Sequence, residues 1–163
     1  LVGAEKTSMM MPAEKFFVDT NILLAATDTG RRDHALASSV FTRAAARGIH
    51  PFICGQVVRE YLVVATRPVD SNGLGLVLRD ALHNVRQFRR RCGFLAEDER
   101  TAEILLSLAE KHGITGKRIH DANLVALMQA HGIRTLLTLN PRDFACFEGI
   151  TIPDLADFEN GGG

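Results

Sequence analysis

Apolar residues along this chain follow two spacings, one typical of buried strands and the other of amphipathic helices. Short apolar runs bounded by turn-forming residues predict strands at 15–18, 51–54, 94–95, 135–139 and 150–152. Apolar residues three and four positions apart predict helices at 33–47, 56–66, 76–91, 98–112 and 120–131, and a first helix that starts at Ile22. Strands that alternate with helices in this way predict an α/β fold with a mostly parallel central sheet.

Several helix ends carry residues that favour them. Gly48, Gly113 and Gly132 follow three of the predicted helices, and glycine readily adopts the left-handed conformation that ends a helix. Asn21 precedes the first helix and is a candidate N-cap, because its side chain can accept a hydrogen bond from a free backbone N–H group. Residues 67–75 (RPVDSNGLG) are rich in turn formers and are expected to form a loop.

The length of 163 residues fits a single domain that can bury a hydrophobic core. We expect this domain to span 15–155, preceded by a disordered leader at 1–14 and followed by a tail at 156–163. Residues 1–12 lack the basic start and apolar core of a secretory signal. No apolar run approaches the roughly 20 residues of a membrane span, so a membrane protein is not indicated.

The three cysteines are widely spaced and form no C-x-x-C pair, so neither a disulfide framework nor a thiolate zinc site is indicated. We expect Cys54, Cys92 and Cys146 to be reduced core residues of a cytoplasmic protein. The net charge is zero, so any contact with nucleic acid must come from local basic patches. Such patches occur at Arg31-Arg32, at Arg86 with Arg89-Arg90-Arg91, and at Lys117-Arg118, although each can equally be a solvated helix face.

Asp121 lies on an unusual face of its predicted helix. Leu124, Val125 and Met128 follow it by three, four and seven positions, which puts the carboxylate on the apolar stripe rather than on the solvent face. A carboxylate there is costly unless it is paired or bound to a cation. The helix dipole favours an acid in the first turn of a helix, but it does not explain why Asp121 lies on the apolar face of this helix.

Four more candidate polar side chains lie near strand ends, beside a helix stripe or in the first turn of a helix. Asp19 follows the first strand and Asn140 follows the strand TLLTL, and ligands of parallel α/β sheets bind at the carboxyl ends of strands. Glu60 flanks the apolar stripe of its helix. Structural interpretations also exist: an Asx turn for Asp19, a surface glutamate for Glu60, and for Asp143 the N3 position of a short helix capped by Asn140.

Carboxylates that converge at one sheet end would repel one another unless a cation lies among them. Oxygen-only ligands select Mg²⁺ or Mn²⁺ over zinc. Such an ion can activate water and polarise a phosphoryl group, which is the chemistry of phosphodiester hydrolysis.

The order of these residues resembles the motifs of PIN domains. Asp19-Thr20-Asn21 after an apolar strand resembles their opening motif, and Glu60 within VVREYLVVATRP resembles their second acid. His120-Asp121-Ala122 resembles the motif of their third acid, and the run 138–144 (TLNPRDF) resembles their last conserved motif, T-x-[DN]-x-x-D-F. The resemblance covers about 15–155 and is closest to VapC-like toxins of type II toxin–antitoxin systems, including the loop RPVDSNGLG.

This resemblance implies a three-layer α/β/α sandwich with endoribonuclease activity that depends on Mg²⁺ or Mn²⁺. It implies a homodimer inhibited by a small antitoxin. Asp19 and Asp121 would bind the metal directly, with Glu60 and Asp143 as further ligands or as residues that position water. The shell of hydrogen bonds would come from Thr20, Asn21, Thr138 and Asn140. Contacts to the RNA backbone would come from Lys117, Arg118, Arg86, Arg89 and Arg90.

One departure from the family pattern leaves alternatives open. Many members have an aspartate where this chain has Asn140, so either Asp143 supplies the fourth acid or the site lacks one charge. A catalytically inactive binding module with the same fold is therefore an alternative. A haloacid-dehalogenase-like phosphatase also places an aspartate after a strand, but it would have a second acid where this chain has Asn21.

Overall fold

The computed structural model describes residues 14–156 and has a four-stranded sheet at its centre. Its strands are β1 (Lys15–Val18), β2 (His50–Cys54), β3 (Gly93–Leu95) and β4 (Thr135–Leu137), in the order β3-β2-β1-β4. All three strand pairings are parallel. The sheet predicted to be mostly parallel is thus parallel throughout the described residues.

Both faces of this sheet are covered. Consecutive residues of a strand point to opposite faces, yet Phe16, Phe17 and Val18 are all buried, as are Leu136 and Leu137. Such continuous burial requires helices on both sides, as is usual for parallel sheets. The three-layer α/β/α sandwich expected from the sequence is confirmed.

The helices agree with the predicted ones to within two residues at each end. They are α1 (Thr20–Thr27), α2 (His34–Arg47), α3 (Gly55–Thr66), α4 (Leu78–Arg91), α5 (Glu99–His112) and α6 (Arg118–Ala130). Gly48 and Gly113 end α2 and α5 with φ of 66° and 60°, as the sequence predicted. The 67–75 loop is also confirmed, apart from one short 3-10 turn at Val69–Ser71.

The predicted N-cap of the first helix is wrong. Helix α1 begins at Thr20 rather than Ile22, and its N-cap is Asp19, whose side chain accepts from the backbone N–H of Thr20. Asn21 cannot serve as the cap because it lies inside the helix. Its amide is instead hydrogen bonded to Asp19, Thr138 and the backbone N–H of Leu139.

The predicted strands near the carboxyl terminus are shorter than expected. Strand β4 ends at Leu137, so Thr138 rather than Asn140 is the first residue beyond it. The predicted strand at 150–152 is reduced to one bridge between Thr135 and Thr151. Only one residue of that segment comes close enough to exchange backbone hydrogen bonds with Arg134 and Leu136.

Little of the expected leader and tail falls within the described residues. Of the predicted segments 1–14 and 156–163, only Glu14 and Ala156 are described. Between these two residues, no helix has the length and apolar character needed to cross a membrane. The three cysteines are free thiols, with Cys54 and Cys92 buried and Cys146 half-buried.

The strand order positions the candidate site. Strand β1 lies between β2, which follows it in the chain, and β4, which comes last. The chain therefore reverses its direction of travel across the sheet at β1, and ligands in such sheets bind at this switch point, beyond the carboxyl ends of the strands. Asp19 follows β1 there and Thr138 follows β4, and the backbone N–H of Asp19 donates to the carbonyl of Leu137 at 3.0 Å.

Candidate active site

Asp19 is a buried carboxylate at the end of the central strand, with only 9% of its surface exposed. Its Oδ1 accepts from the backbone N–H of Thr20 at 2.7 Å, and its Oδ2 accepts from Thr138 Oγ1 at 2.7 Å and from Asn21 Nδ2 at 3.0 Å. A carboxylate offers about four lone-pair sites, so these bonds fix its orientation and leave one site for another ligand.

Thr138 is the centre of the hydrogen-bond network beside Asp19. Its hydroxyl donates to Asp19 and accepts from Asn21 Nδ2 at 3.0 Å and from the backbone N–H of Asn140 at 3.1 Å. One donor and two acceptor positions are the full capacity of a hydroxyl group. Through this residue the end of β4 and the first turn of α1 are held together around the carboxylate.

Glu60 on α3 is held by two donors, one at each carboxylate oxygen. Thr20 Oγ1 donates to Oε2 at 2.8 Å, and Gln56 Nε2 donates to Oε1 at 2.8 Å. Thr20 therefore contacts two acids, Asp19 through its backbone and Glu60 through its hydroxyl. This bridge places the α3 acid beside the β1 acid.

Asp121 is half-buried at the end of the apolar stripe of α6, as its spacing from Leu124, Val125 and Met128 predicted. The pKa of its carboxyl is raised, chiefly because burial removes it from water and next because the Asp143 carboxylate repels its charge. Arg118 lowers this pKa, and Glu60 raises it. Because these effects act through space, Asp121 is within electrostatic range of both other acids.

The predicted short helix after β4 is a 3-10 turn at Pro141–Phe144. Asn140 is its N-cap residue and proline occupies its first turn, as expected, but the Asn140 side chain makes no capping hydrogen bond. The Asp143 side chain is exposed and has no hydrogen-bond or ion-pair partner among residues 14–156. The negative charge of Asp143 is therefore not neutralised by a partner, and it helps to raise the pKa of Asp121.

The four acids meet at one edge of the sheet without forming a closed cage. The pKa of Asp19 is raised to about 6, chiefly by burial; Thr138 and Thr20 lower it, and the charges of Glu60 and Asp121 raise it. Within the described residues, no three His, Cys, Asp or Glu side chains lie close enough to enclose a metal ion. Mg²⁺ usually keeps several waters and takes only one or two direct carboxylates. An open set of repelling oxygen ligands therefore fits such an ion.

The predicted basic residues fall in two separate places. Arg118 Nη2 donates to the backbone carbonyl of Asp143 and to Cys146 Sγ, both at 3.3 Å, so this guanidinium holds the segment that carries Asp143. Lys117 precedes it at the start of α6, beside the acids. The remaining cluster lies on α4.

Two arginines of the α4 cluster lie against strands β2 and β3. Arg90 lines a cavity with His50 and Pro51, at the amino end of β2, and Arg89 lies 4.9 Å from the ring centroid of Phe94. Arg90 is therefore at the sheet edge opposite to Asp19, whereas Phe94 reaches toward Gly55 at the carboxyl end of β2. The RNA-backbone role expected for Arg86, Arg89 and Arg90 stays a prediction.

Sequence reasoning missed a group of buried and half-buried amides behind the acids. Gln56 is 4% exposed, and besides Glu60 its Nε2 donates to the backbone carbonyl of His120 at 3.1 Å. Asn123 Nδ2 donates to Gln56 Oε1 and to Glu97 Oε1, both at 2.9 Å. The spacing of four residues between Gln56 and Glu60 was the available signal, since such pairs face each other on a helix.

Comparison with known proteins places this geometry in a family. Residues 16–148 match the PIN domain profile. The chain is 32% identical over 138 residues to Ribonuclease VapC48 of Mycobacterium tuberculosis, covering 83% of this chain and 94% of that protein.

Solved structures show the same fold. DNA-bound VapBC from Salmonella typhimurium matches with a TM-score of 0.64 and 22% identity, over 87% of this chain and 98% of that one. A toxin–antitoxin complex from Klebsiella pneumoniae matches with a TM-score of 0.59 and 22% identity, over 85% of this chain and 96% of that one.

The raised pKa of Asp19 predicts a pH-dependent stability in the absence of metal. Between about pH 4 and pH 6 the folded state binds more protons at this group than the unfolded state, so its contribution to the free energy of unfolding falls as pH rises. We expect the difference in unfolding free energy between the wild type and Asp19→Asn to change by up to roughly 3 kcal/mol across this window. Urea denaturation in EDTA at a series of pH values measures it.

The Asp19→Asn variant carries a neutral amide at this position at every pH, so subtracting its stability cancels the contribution of the other titrating groups. A difference between the two proteins that stays constant from pH 4 to pH 7 would contradict the assignment. Addition of Mg²⁺ at pH 7 should raise the melting temperature of the wild type and leave that of Asp19→Asn nearly unchanged.

Proposed function

Because the chain belongs to the PIN domain family, we propose that it is a Mg²⁺- or Mn²⁺-dependent endoribonuclease that acts as the toxin of a toxin–antitoxin pair. The observation that carries this proposal is a group of four acids near the carboxyl edge of the sheet: Asp19, Glu60, Asp121 and Asp143. The charges of neighbouring acids help to raise the pKa values of Asp19 and Asp121. Repulsion between neighbouring carboxylates destabilises the fold, and a divalent cation among them would relieve it.

The proposed roles follow from how each acid is held. Asp19 and Asp121 bind the metal directly; Asp19 keeps one lone-pair site free, and Asp121 accepts no side-chain hydrogen bond within residues 14–156. Glu60 and Asp143 complete the site through water or position the attacking water. When bound, Mg²⁺ or Mn²⁺ would lower the pKa of a water and polarise the phosphoryl group.

The residues around the acids keep them in place before substrate arrives. Thr20, Asn21 and Thr138 orient Asp19 and Glu60, and such outer hydrogen bonds typically matter for metal affinity. Asn140 can offer only a neutral carbonyl oxygen, so the fourth negative charge comes from Asp143. Arg118 supports that role because it fixes the backbone carbonyl of Asp143.

The proposed partners are an RNA substrate and a small antitoxin protein. Ribonuclease VapC48 is a nuclease by name, and the matching structure from Klebsiella pneumoniae is a toxin–antitoxin complex. We expect a homodimer, as the family resemblance implies, acting in the cytoplasm. Three unpaired cysteines suit a reducing compartment.

The two alternative functions are less well supported by the site. A haloacid-dehalogenase-like phosphatase would have a second acid two residues after its nucleophile, but this chain has Asn21 there, and its amide donates to Asp19. The inactive binding module rests on the uncharged Asn140. Asp143, three residues away and electrostatically coupled to Asp121, supplies the charge that Asn140 lacks.

The first prediction for this function concerns metal dependence. Replacing Asp121 with Asn should lower the rate of RNA cleavage by at least about 100-fold, as is typical when a well-placed electrostatic group is lost. Its melting temperature without metal should stay the same or rise, because the substitution removes repulsion between carboxylates. Initial rates and thermal melts of the same preparations separate loss of chemistry from loss of fold.

Asp80→Asn is the matched control, since Asp80 is exposed on α4 and pairs with Arg79 at 3.3 Å. It should cleave RNA at the wild-type rate. EDTA should abolish cleavage by the wild type, and Mg²⁺ or Mn²⁺ should restore it. Full activity in excess EDTA would refute the metal-dependent mechanism.

The second prediction identifies the fourth acid. Asp143→Asn should reduce the cleavage rate sharply with little change in melting temperature, because the Asp143 side chain has no partner in the described residues that stabilises the fold. Asn140→Asp should preserve or raise the affinity for Mn²⁺. Titration of Mn²⁺ and initial rates on both variants test this assignment.

If Asp143 instead only stabilises its 3-10 turn, the results invert. Asp143→Asn would then lose about 0.3–1 kcal/mol of stability and keep its turnover. An unstable but fully active variant would remove Asp143 from the site.

The third prediction concerns toxicity. Expression of the chain in a bacterial host without antitoxin should arrest growth, and Asp19→Ala expressed to the same level should not. Growth curves with matched protein abundance make the comparison. A wild-type chain that is harmless at high abundance would favour the inactive binding module.

A further inference from the structure

A groove of about 490 Å³ lies directly beside the acids, between α3 and the start of α6. Its volume falls within the roughly 300–1,000 Å³ of sites that hold small molecules, which is enough for a nucleotide. Glu60 lines this groove as well as the acid site, and so does Gln56. The groove and the candidate active site are therefore continuous.

One wall of the groove is a stripe of α3. Arg59 and Val63 are four residues apart on one face of the helix, and Arg67, which caps the carboxyl end of α3, follows Val63 by four more. The two arginines are separated by about 12 Å along the helix axis. Between them Val63 is 55% exposed, an apolar side chain with no cover in the described part of the chain.

The other wall comes from the amino-terminal end of α6. Lys117 and His120 line it, both exposed, and the positive end of the helix dipole adds to their charge. Among residues 14–156, Arg59, Arg67 and Lys117 make no ion pair with any carboxylate. The groove's own lining thus carries three cations and one acid, Glu60, in a protein whose net charge is zero.

The backbone of Arg67 is anchored by the loop that follows it. Gly75 donates its N–H to the Arg67 carbonyl at 2.8 Å. Gly73 approaches the same carbonyl so closely that a Cβ atom there would lie 2.0 Å from its oxygen. The 67–75 loop thus holds the end of α3 in position beside the groove.

We propose that this groove binds the RNA strand on one side of the scissile phosphate. Arg59, Arg67 and Lys117 contact successive phosphates, and the exposed face of Val63 packs against a base. The inference rests on the proposed ribonuclease function and assigns the substrate path at the same site. Single-stranded RNA is the occupant because a cationic groove follows the backbone of a single strand, and three cations line this groove. Val63 adds an apolar contact to a base in place of the aromatic side chains that such sites commonly use.

The test is the salt dependence of RNA binding. A fluorescent single-stranded RNA of mixed sequence is titrated with the full chain in EDTA, where cleavage is suppressed, at several salt concentrations. Arg59→Gln with Arg67→Gln should weaken binding about tenfold or more, the equivalent of removing one or more charge-assisted hydrogen bonds. The slope of log K against log salt should become shallower by roughly 0.7 for each phosphate that the double variant no longer neutralises.

Arg100→Gln is the control, since Arg100 is exposed on α5 and lines a different cavity. It should leave both the affinity and the slope unchanged. In Mg²⁺, the double variant should lose kcat/KM mainly through a higher KM. Thermal melts verify that each variant is folded.

The outcomes separate this proposal from the one on which it rests. If the wild type binds RNA with a slope that depends on Arg59 and Arg67 but does not cleave it, the groove is supported and the catalytic proposal fails. If the double variant binds and cleaves RNA like the wild type, the groove proposal is overturned while the ribonuclease remains. Unchanged RNA affinity together with abolished antitoxin binding would also overturn it and assign the groove to a protein partner.

Discussion

A single buried carboxylate, Asp19, connects the central strand, the first helix and the last strand of this protein. Its side chain caps α1 through the backbone N–H of Thr20 and accepts from Thr138 beyond β4. Burial, together with the charges of Glu60 and Asp121, raises its pKa to about 6, so the ionised carboxylate is less favourable in the metal-free protein than in water. The residues that fix the fold at the sheet edge are therefore also the residues that make a cation favourable there.

Much of the architecture follows from local patterns. Period-2 and period-3.6 spacing predicted the strands and helices, and left-handed glycines ended α2 and α5 where expected. The half-burial of Asp121 was predicted from its helix face alone, since Leu124 and Val125 fix which side of α6 meets the core. These features depend on neighbours in the sequence, which is why the sequence reveals them.

Features that depend on the order of strands could not be predicted. Arg90 and Lys117 look alike as basic patches, but the order β3-β2-β1-β4 puts the first at the amino edge of the sheet and the second near the acids. The Gln56 side chain donates to Glu60 and also to the backbone carbonyl of His120, which lies 64 positions further along the chain. Asn21 does not cap α1 because its side-chain amide donates to Thr138, 117 positions away. Asp19 caps the helix instead.

The same strand order decides when the site can exist during synthesis. Strand β1, which carries the first acid, is translated before its partner β4 and before the residues Thr138 and Asp143. A nascent chain that ends before them lacks both the donor that orients Asp19 and the fourth carboxylate. The edge of the sheet that carries the acids is thus completed only after Asp143 has been translated, so a nascent chain that ends before that residue cannot assemble the full site.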